Sequence, residues 1–276
     1  MLARILMALG GLVALALLGL AAYRFIFSFQ SSSRFEQLGM KANADGLERF
    51  KLEMLDGLPE PAKRYLSHAM QSGSPLFDRV EFSGHGSIRL EEKWQTFDFE
   101  ERLAAHRGFV WQAGLNEMQV YTDDFYLNRA GGVNVFLFYL FPMVRSSGPD
   151  IARSASHRFA IEHVWLPTAL LPGRQVRWEP VDENRARVII RTDLEEDVPI
   201  TLTIDEQGKV IKVSMKRWSQ VTVDAPWSLT PYEGFVEEES TFDGITIPSK
   251  IRIGYGQGDD WKSGFFCEVR AAKYID

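Results

Sequence analysis

The sequence is poor in the residue types that build the commonest recognisable sites. A single cysteine, Cys267, in 276 residues excludes an internal disulfide framework and a cysteine-rich metal cluster. Its distance from the N-terminus excludes an N-terminal lipid-modified cysteine. The five histidines, His68, His85, His106, His157 and His163, show neither His-x-x-x-His nor His-Glu-x-x-His spacing, so no zinc site and no other cofactor is expected. There is no Gly-x-Ser-x-Gly elbow and no phosphate loop; Gly254-Tyr255-Gly256-Gln257-Gly258 leads to Asp259-Asp260-Trp261 and reads as a loop, not the start of a helix. Positive charge is also in deficit. With 31 Lys and Arg against 37 Asp and Glu the net charge is −6, and no basic stripe interleaved with aromatics is present, which argues against a nucleic-acid partner.

Charge is missing altogether from Ile5 to Tyr23, an apolar run bracketed by Arg4 and Arg24. As a helix this run spans roughly 28 Å, close to the hydrocarbon thickness of a bilayer, and in lipid only a helix satisfies its backbone within the segment. Residues 1–29 are therefore either a transmembrane anchor or a signal segment. The long apolar core and the lack of a sharp Ala-x-Ala site favour the uncleaved, single-pass anchor. Arg24, Arg34 and Lys41 outweigh Arg4 and the amino group, a local count that leans towards a cytoplasmic domain. Long segments cross largely regardless of charge, however, and the expectation is a soluble domain on the periplasmic or extracytoplasmic side. Residues 30–43 contain a Ser run and no sustained period, and read as a tether that first lies along the membrane surface.

Residues 44–276 read as one β-rich domain of α+β class, mostly antiparallel. Leu47, Phe50 and Met54 predict a helix near 46–56, and Ala62, Tyr65, Leu66, Ala69 and Met70 predict another near 61–72, with Pro59 and Pro61 at its start. Ser147-Gly148-Pro149-Asp150 opens a third helix, near 149–164. Elsewhere extended runs break at turn residues about every ten positions, as an antiparallel meander requires. Alternation is explicit at Ile200, Leu202 and Ile204 against Thr201 and Thr203, and at Ile211, Val213 and Met215 against Lys212, Ser214 and Lys216. One sheet face is thus expected to be wet or free of helices. The apolar run Val133 to Phe141 fits a buried strand or a helix.

The stretch from Arg158 through Glu162, Trp165, Pro167, Thr168, Ala169, Leu170 and Leu171 to Pro172, followed by Val176 with Trp178, Arg217, Pro226 with Trp227, and Gly244 with Pro248, resembles a family of uncharacterised bacterial proteins with an Arg-x-x-x-Glu-x-x-Trp-x-Pro-Thr-Ala-Leu-Leu-Pro signature. The resemblance runs from about Leu58 to the C-terminus and implies no assigned activity. Its layout is similar to the periplasmic lipoprotein-carrier fold, a curved, half-barrel-like antiparallel sheet closed on one side by helices.

Arg158, Glu162, Trp165, Trp178, Arg217 and Trp227 are the candidate ligand-binding residues. Arg158 and Glu162 lie at i, i+4, where they can pair as a brace or present a guanidinium to an anionic group. Seven Trp, and 12% aromatics overall, serve equally to fill a core or to line an apolar site. Asp123-Asp124, Glu195-Glu196-Asp197, Glu237-Glu238-Glu239 and Asp259-Asp260 read as turn or solvated-face residues, because neighbours on a strand point to opposite faces. The favoured function is a non-enzymatic binder or carrier of a lipid or other apolar ligand, tethered by its helix to the membrane. The alternatives are an enzyme using Glu162, His163 or His157 as acid or base, and a protein-interaction scaffold in the envelope.

Overall fold

In the computed structural model, which describes residues 1–39, 48–222 and 224–275, the alternating segments form one thirteen-stranded antiparallel sheet. The first meander contains β1 (Arg79–Leu90), β2 (Lys93–Ala104), β3 (Gly108–Leu115), β4 (Val120–Leu127), β5 (Ala130–Leu137) and β6 (Phe141–Ser147). The second contains β7 (Val176–Pro180), β8 (Arg185–Arg191), β9 (Asp197–Ile204), β10 (Val210–Ser219), β11 (Ser228–Phe242), β12 (Ile245–Tyr255) and β13 (Lys262–Ile275). The first and last strands join the meanders: β1 pairs with β13, from Arg79 opposite Ile275 to Ile88 opposite Phe265. The run at Val133 to Phe141 resolves into the end of β5, a tight turn and the start of β6.

The sheet is strongly curved, so that Tyr126 on β4 donates its hydroxyl to Asp193 in the turn between β8 and β9. Across the concave side runs α3 (Pro149–Glu162), which links the two sheet edges and packs on both β5 and β10. Its small residues permit a close approach. A Cβ on Gly131 of β5 would lie 2.8 Å from the Ala155 Cβ and 2.9 Å from the Ala152 Cα, nearer than any side chain can pack. After α3 the chain makes two 3-10 turns, His163–Trp165 and Pro167–Leu170. With α2 (Glu60–Ala69) these turns plug one end of the curved sheet, around Tyr65, Leu66, Met70, Val80, Leu103, Leu166, Leu170, Ile245 and Ile247, all buried.

Two helical expectations are corrected. Near 46–56 the described residues contain only a 3-10 turn, Leu52–Leu55. Phe50 is extended there, exchanging backbone hydrogen bonds of 2.8 Å with Ser74 and Gly73; its burial comes from that pairing, not from a helical face. Leu47 lies outside the described residues. Conversely, residues 30–39 of the stretch read as a tether are helical, since α1 is continuous from Leu2 to Gly39; residues 40–43 lie outside the described residues.

The C-terminal half of α1 lies on the convex face over β2 to β5, so that face is covered in the first meander and not helix-free. Leu38 packs with Ala104, Val110 and Leu127, and Phe27 meets Phe136 at 4.5 Å between ring centroids. Beneath the helix Asp123 is fully buried. It accepts hydrogen bonds from Ser31, from Arg34 at 3.1 Å and from Asn134 at 3.2 Å. A buried carboxylate needs that many donors to stay in place.

Candidate functional site

Between α3 and the concave face lies a cavity of about 590 Å³. Alternation along the strands supplies its walls. On β2 the inward phase presents Phe97, Phe99 and Glu101; on β4 it presents Thr122 and Asp124, on β5 Val133 and Val135, on β12 Ile251 and Ile253, and on β13 Phe265 and Cys267. Trp111 completes an aromatic cluster with Phe97 and Phe265, at 5.7 and 6.4 Å between centroids. Burial pushes the Cys267 thiol far above its ordinary range, which leaves it an apolar wall group.

Polar groups converge at one place, under α3. Arg158 reaches Glu162 from Nε at 2.5 Å and Glu101 from Nη2 at 3.4 Å, and donates to Asp124 from Nη1. Its guanidinium also covers the rings of Phe109 and Trp111, at 4.5 and 5.2 Å from their centroids. Three carboxylates around one cation cannot all be ionised at low cost in such a site. Burial, then the neighbouring Glu162 carboxylate, drives the Glu101 carboxyl well above the usual range. A protonated Glu101 can donate to Glu162, which accounts for the otherwise unpartnered buried oxygens Glu101 Oε1 and Glu162 Oε2.

Arg217, from β10, borders the same cavity. Its guanidinium lies over Tyr232 at 5.2 Å and touches Ser154 Oγ at 3.5 Å. Its Nε is buried with no hydrogen-bond partner, and among the described residues no carboxylate is within ion-pair reach. Tyr232 and Tyr255 lie beside it.

The six candidates therefore divide. Arg158, Glu162, Trp165 and Arg217 border the cavity. Trp165 is held by Nε1 donating to Pro248 O at 2.9 Å and by its own carbonyl accepting from Tyr274 Oη at 2.9 Å. Trp178 instead donates to Leu170 O at 2.9 Å and braces the second 3-10 turn. Trp227 stacks on Trp218, with centroids 6.4 Å apart. Neither of these two tryptophans borders the cavity.

Asp124, read as a solvated-face residue, lies at the centre of the polar cluster. Glu101 carries a legible sequence signal, since it occupies an inward position in the alternation Phe97, Phe99, Glu101, Leu103. The proposed acid-base groups do not share a site. Glu162 faces the cavity, His163 Nδ1 donates to Phe159 O within the helix packing at 2.8 Å, and His157 accepts from the Trp218 amide at 3.0 Å. Among the described residues no group of three His, Cys, Asp or Glu side chains is placed to hold a metal ion.

These features fall within a known family: the chain belongs to the family of unknown function DUF6544, whose model matches residues 48–265. No curated protein matches the sequence. Among solved structures the chain is similar to a LolA superfamily protein from Nitrosomonas europaea, with a TM-score of 0.42 and 10% identity over 78% of this chain and 92% of the other. It is also similar to a DUF1329 family protein from Desulfovibrio piger, with a TM-score of 0.41 and 10% identity over 78% and 94%.

Proposed function

We propose that this protein binds an elongated apolar molecule carrying an anionic group, of the kind an acyl lipid presents, and that it does so from a membrane in which α1 is anchored, with its domain on the extracytoplasmic side. The observation that carries the reading is the cavity itself. Its walls are apolar and aromatic, its size falls within the usual range for small-molecule sites, and its polar groups converge at one end, where Arg217 lacks a counter-ion. Apolar walls give affinity without chemistry, while a desolvated guanidinium selects a carboxylate or phosphate. The anchor is supported by α1, which contains an apolar run long enough to cross a membrane.

Mass spectrometry of organic extracts from the purified full-length chain tests this, with Val135→Trp, which fills the cavity, as the reference for lipid carried on the surface of α1. We expect an acyl lipid retained by the parent and depleted at least tenfold in V135W, and anionic species selectively lost in Arg217→Ala. Equal lipid content in parent and V135W would overturn the reading.

A further inference from the structure

The end of the sheet opposite the α2 plug gathers the β1–β2, β3–β4, β5–β6 and β12–β13 hairpins, and the cavity reaches it: Leu90, at the tip of β1, borders the cavity and is itself exposed. We infer that this hairpin end is seated in the surface of the bilayer that α1 enters, so that the cavity opens towards lipid and not towards bulk water. The inference rests on the reading of α1 as a membrane-spanning helix, and adds to it which face of the domain meets the membrane.

Where α1 leaves the sheet fixes the level. Arg24 Nε donates to the carbonyl of Tyr139, in the β5–β6 turn, at 2.6 Å, and Arg145 of β6 reaches the Tyr23 hydroxyl at 3.4 Å. The uncharged run of α1 ends at these residues, so the β5–β6 turn sits where the helix emerges from hydrocarbon. The apolar surface of α1 does not stop there, because Phe25, Ile26 and Phe29 are exposed on the side away from the sheet. The interfacial layer therefore extends past Arg24, to the depth at which Trp, Tyr and basic side chains anchor membrane proteins.

The hairpin at that level is built for lipid. Phe138 is 60% exposed, Phe141 42% and Met143 63%, a density of apolar tips that water penalises. Phe138 and Tyr139 hold φ of 52° and 57°, the left-handed pair at the centre of a tight turn closed by Leu140 N donating to Leu137 O at 3.0 Å, a conformation that favours Asn-Gly. Bulky aromatic residues are costly in that conformation; the Tyr139 ring packs against Tyr121 at 6.2 Å between centroids, whereas the Phe138 side chain is not tucked into the core. Trp94 on β2 and Met118 before β4 add exposed apolar groups at the neighbouring hairpins.

The test uses the full chain in vesicles of phosphatidylcholine and phosphatidylglycerol. In a Cys267→Ser background, single spin labels at Leu15→Cys, Phe138→Cys, Met143→Cys and Glu206→Cys are compared by their collision with oxygen and with a water-soluble nickel complex. Position 15 should report hydrocarbon, positions 138 and 143 the interface, and position 206, in a turn at the opposite end, water. If 15 is in hydrocarbon while 138 and 143 report water, the docking inference is overturned and the anchor stands. If 15 also reports water, both fall. Phe138→Asn gives an independent check, since it supplies the residue the turn prefers. It should leave the melting temperature unchanged or raise it, yet slow uptake of a fluorescent phosphatidylglycerol from these vesicles about tenfold. Unchanged uptake would count against the inference.

Discussion

Arg158 and Arg217 lie at one cavity and carry the same charge, but their surroundings differ. Arg158 is enclosed by Glu101, Asp124 and Glu162; removing it strands buried carboxylates, and Arg158→Ala should cost about 3 kcal/mol in chemical denaturation. Arg217 has no such partners to strand. Arg217→Ala should cost less than about 1 kcal/mol in the same assay, and a loss as large as that of Arg158→Ala would show that it braces the fold. The buried titratable groups also give the domain a pH profile. Burial holds His163 down at about 4, whereas an unfolded histidine titrates near 6.5. Between those values the unfolded chain binds the extra proton, so stability should fall as pH drops from about 6.5 towards 4. His157 is lowered in the same direction, chiefly by burial. Glu101 works the other way: its raised folded pKa means that stability declines as pH rises above the unfolded carboxyl value. Denaturation of His163→Leu at pH 7 and pH 5 should show a smaller acid-induced loss than the parent, and an equal loss would remove His163 from the account.

Among the elements, α3 depends on a glycine more than on its own helical propensity. Gly131→Val would drive a side chain into Ala152 and Ala155, displace α3 from β5, and should lower stability by about 2 to 3 kcal/mol; Ala155→Gly in that background, which removes the Cβ that the new side chain meets, should recover part of the loss. The strands were legible because alternation is a local signal, and the clean period of Ile200, Leu202 and Ile204 maps onto the inner face of β9. Other segments were set by tertiary partners. Phe50 and Met54 lie at helical spacing, yet the pairing of Arg49 with Pro75 holds the chain extended. The segment from Gln30 to Gly39 has no clear apolar period because its inward residues are mixed: Ser31 and Arg34 face a buried aspartate, and Leu38 faces Ala104 and Val110. The same pairing explains the misreading of Asp123-Asp124. Two acidic neighbours on one strand point to opposite faces, and here each face has its own cover, α1 on one side and α3 on the other. Trp178 and Trp227 show the remaining limit, since a shared motif does not tell which of its aromatics border a cavity and which brace a turn.

At the scale of the whole molecule, β13 occupies the seventh of thirteen positions in the sheet, flanked by β1 and β12. The family match ends at residue 265, only a few residues into this strand, although the remainder supplies the buried Val269 and Tyr274. Ending the chain after Trp261 should abolish cooperative unfolding altogether. A truncated domain that still melted in one sharp transition would mean that the meanders fold separately. The order of synthesis gives this arrangement a consequence. The strand that joins the two meanders is made after both of them, so until β13 emerges the growing chain exposes two long unpaired strand borders, β1 on one half and β12 on the other, each a template for wrong pairing. A chain interrupted before β13 lacks the centre of its sheet, not an ornament at its border, and a protease scanning for open strands would find it.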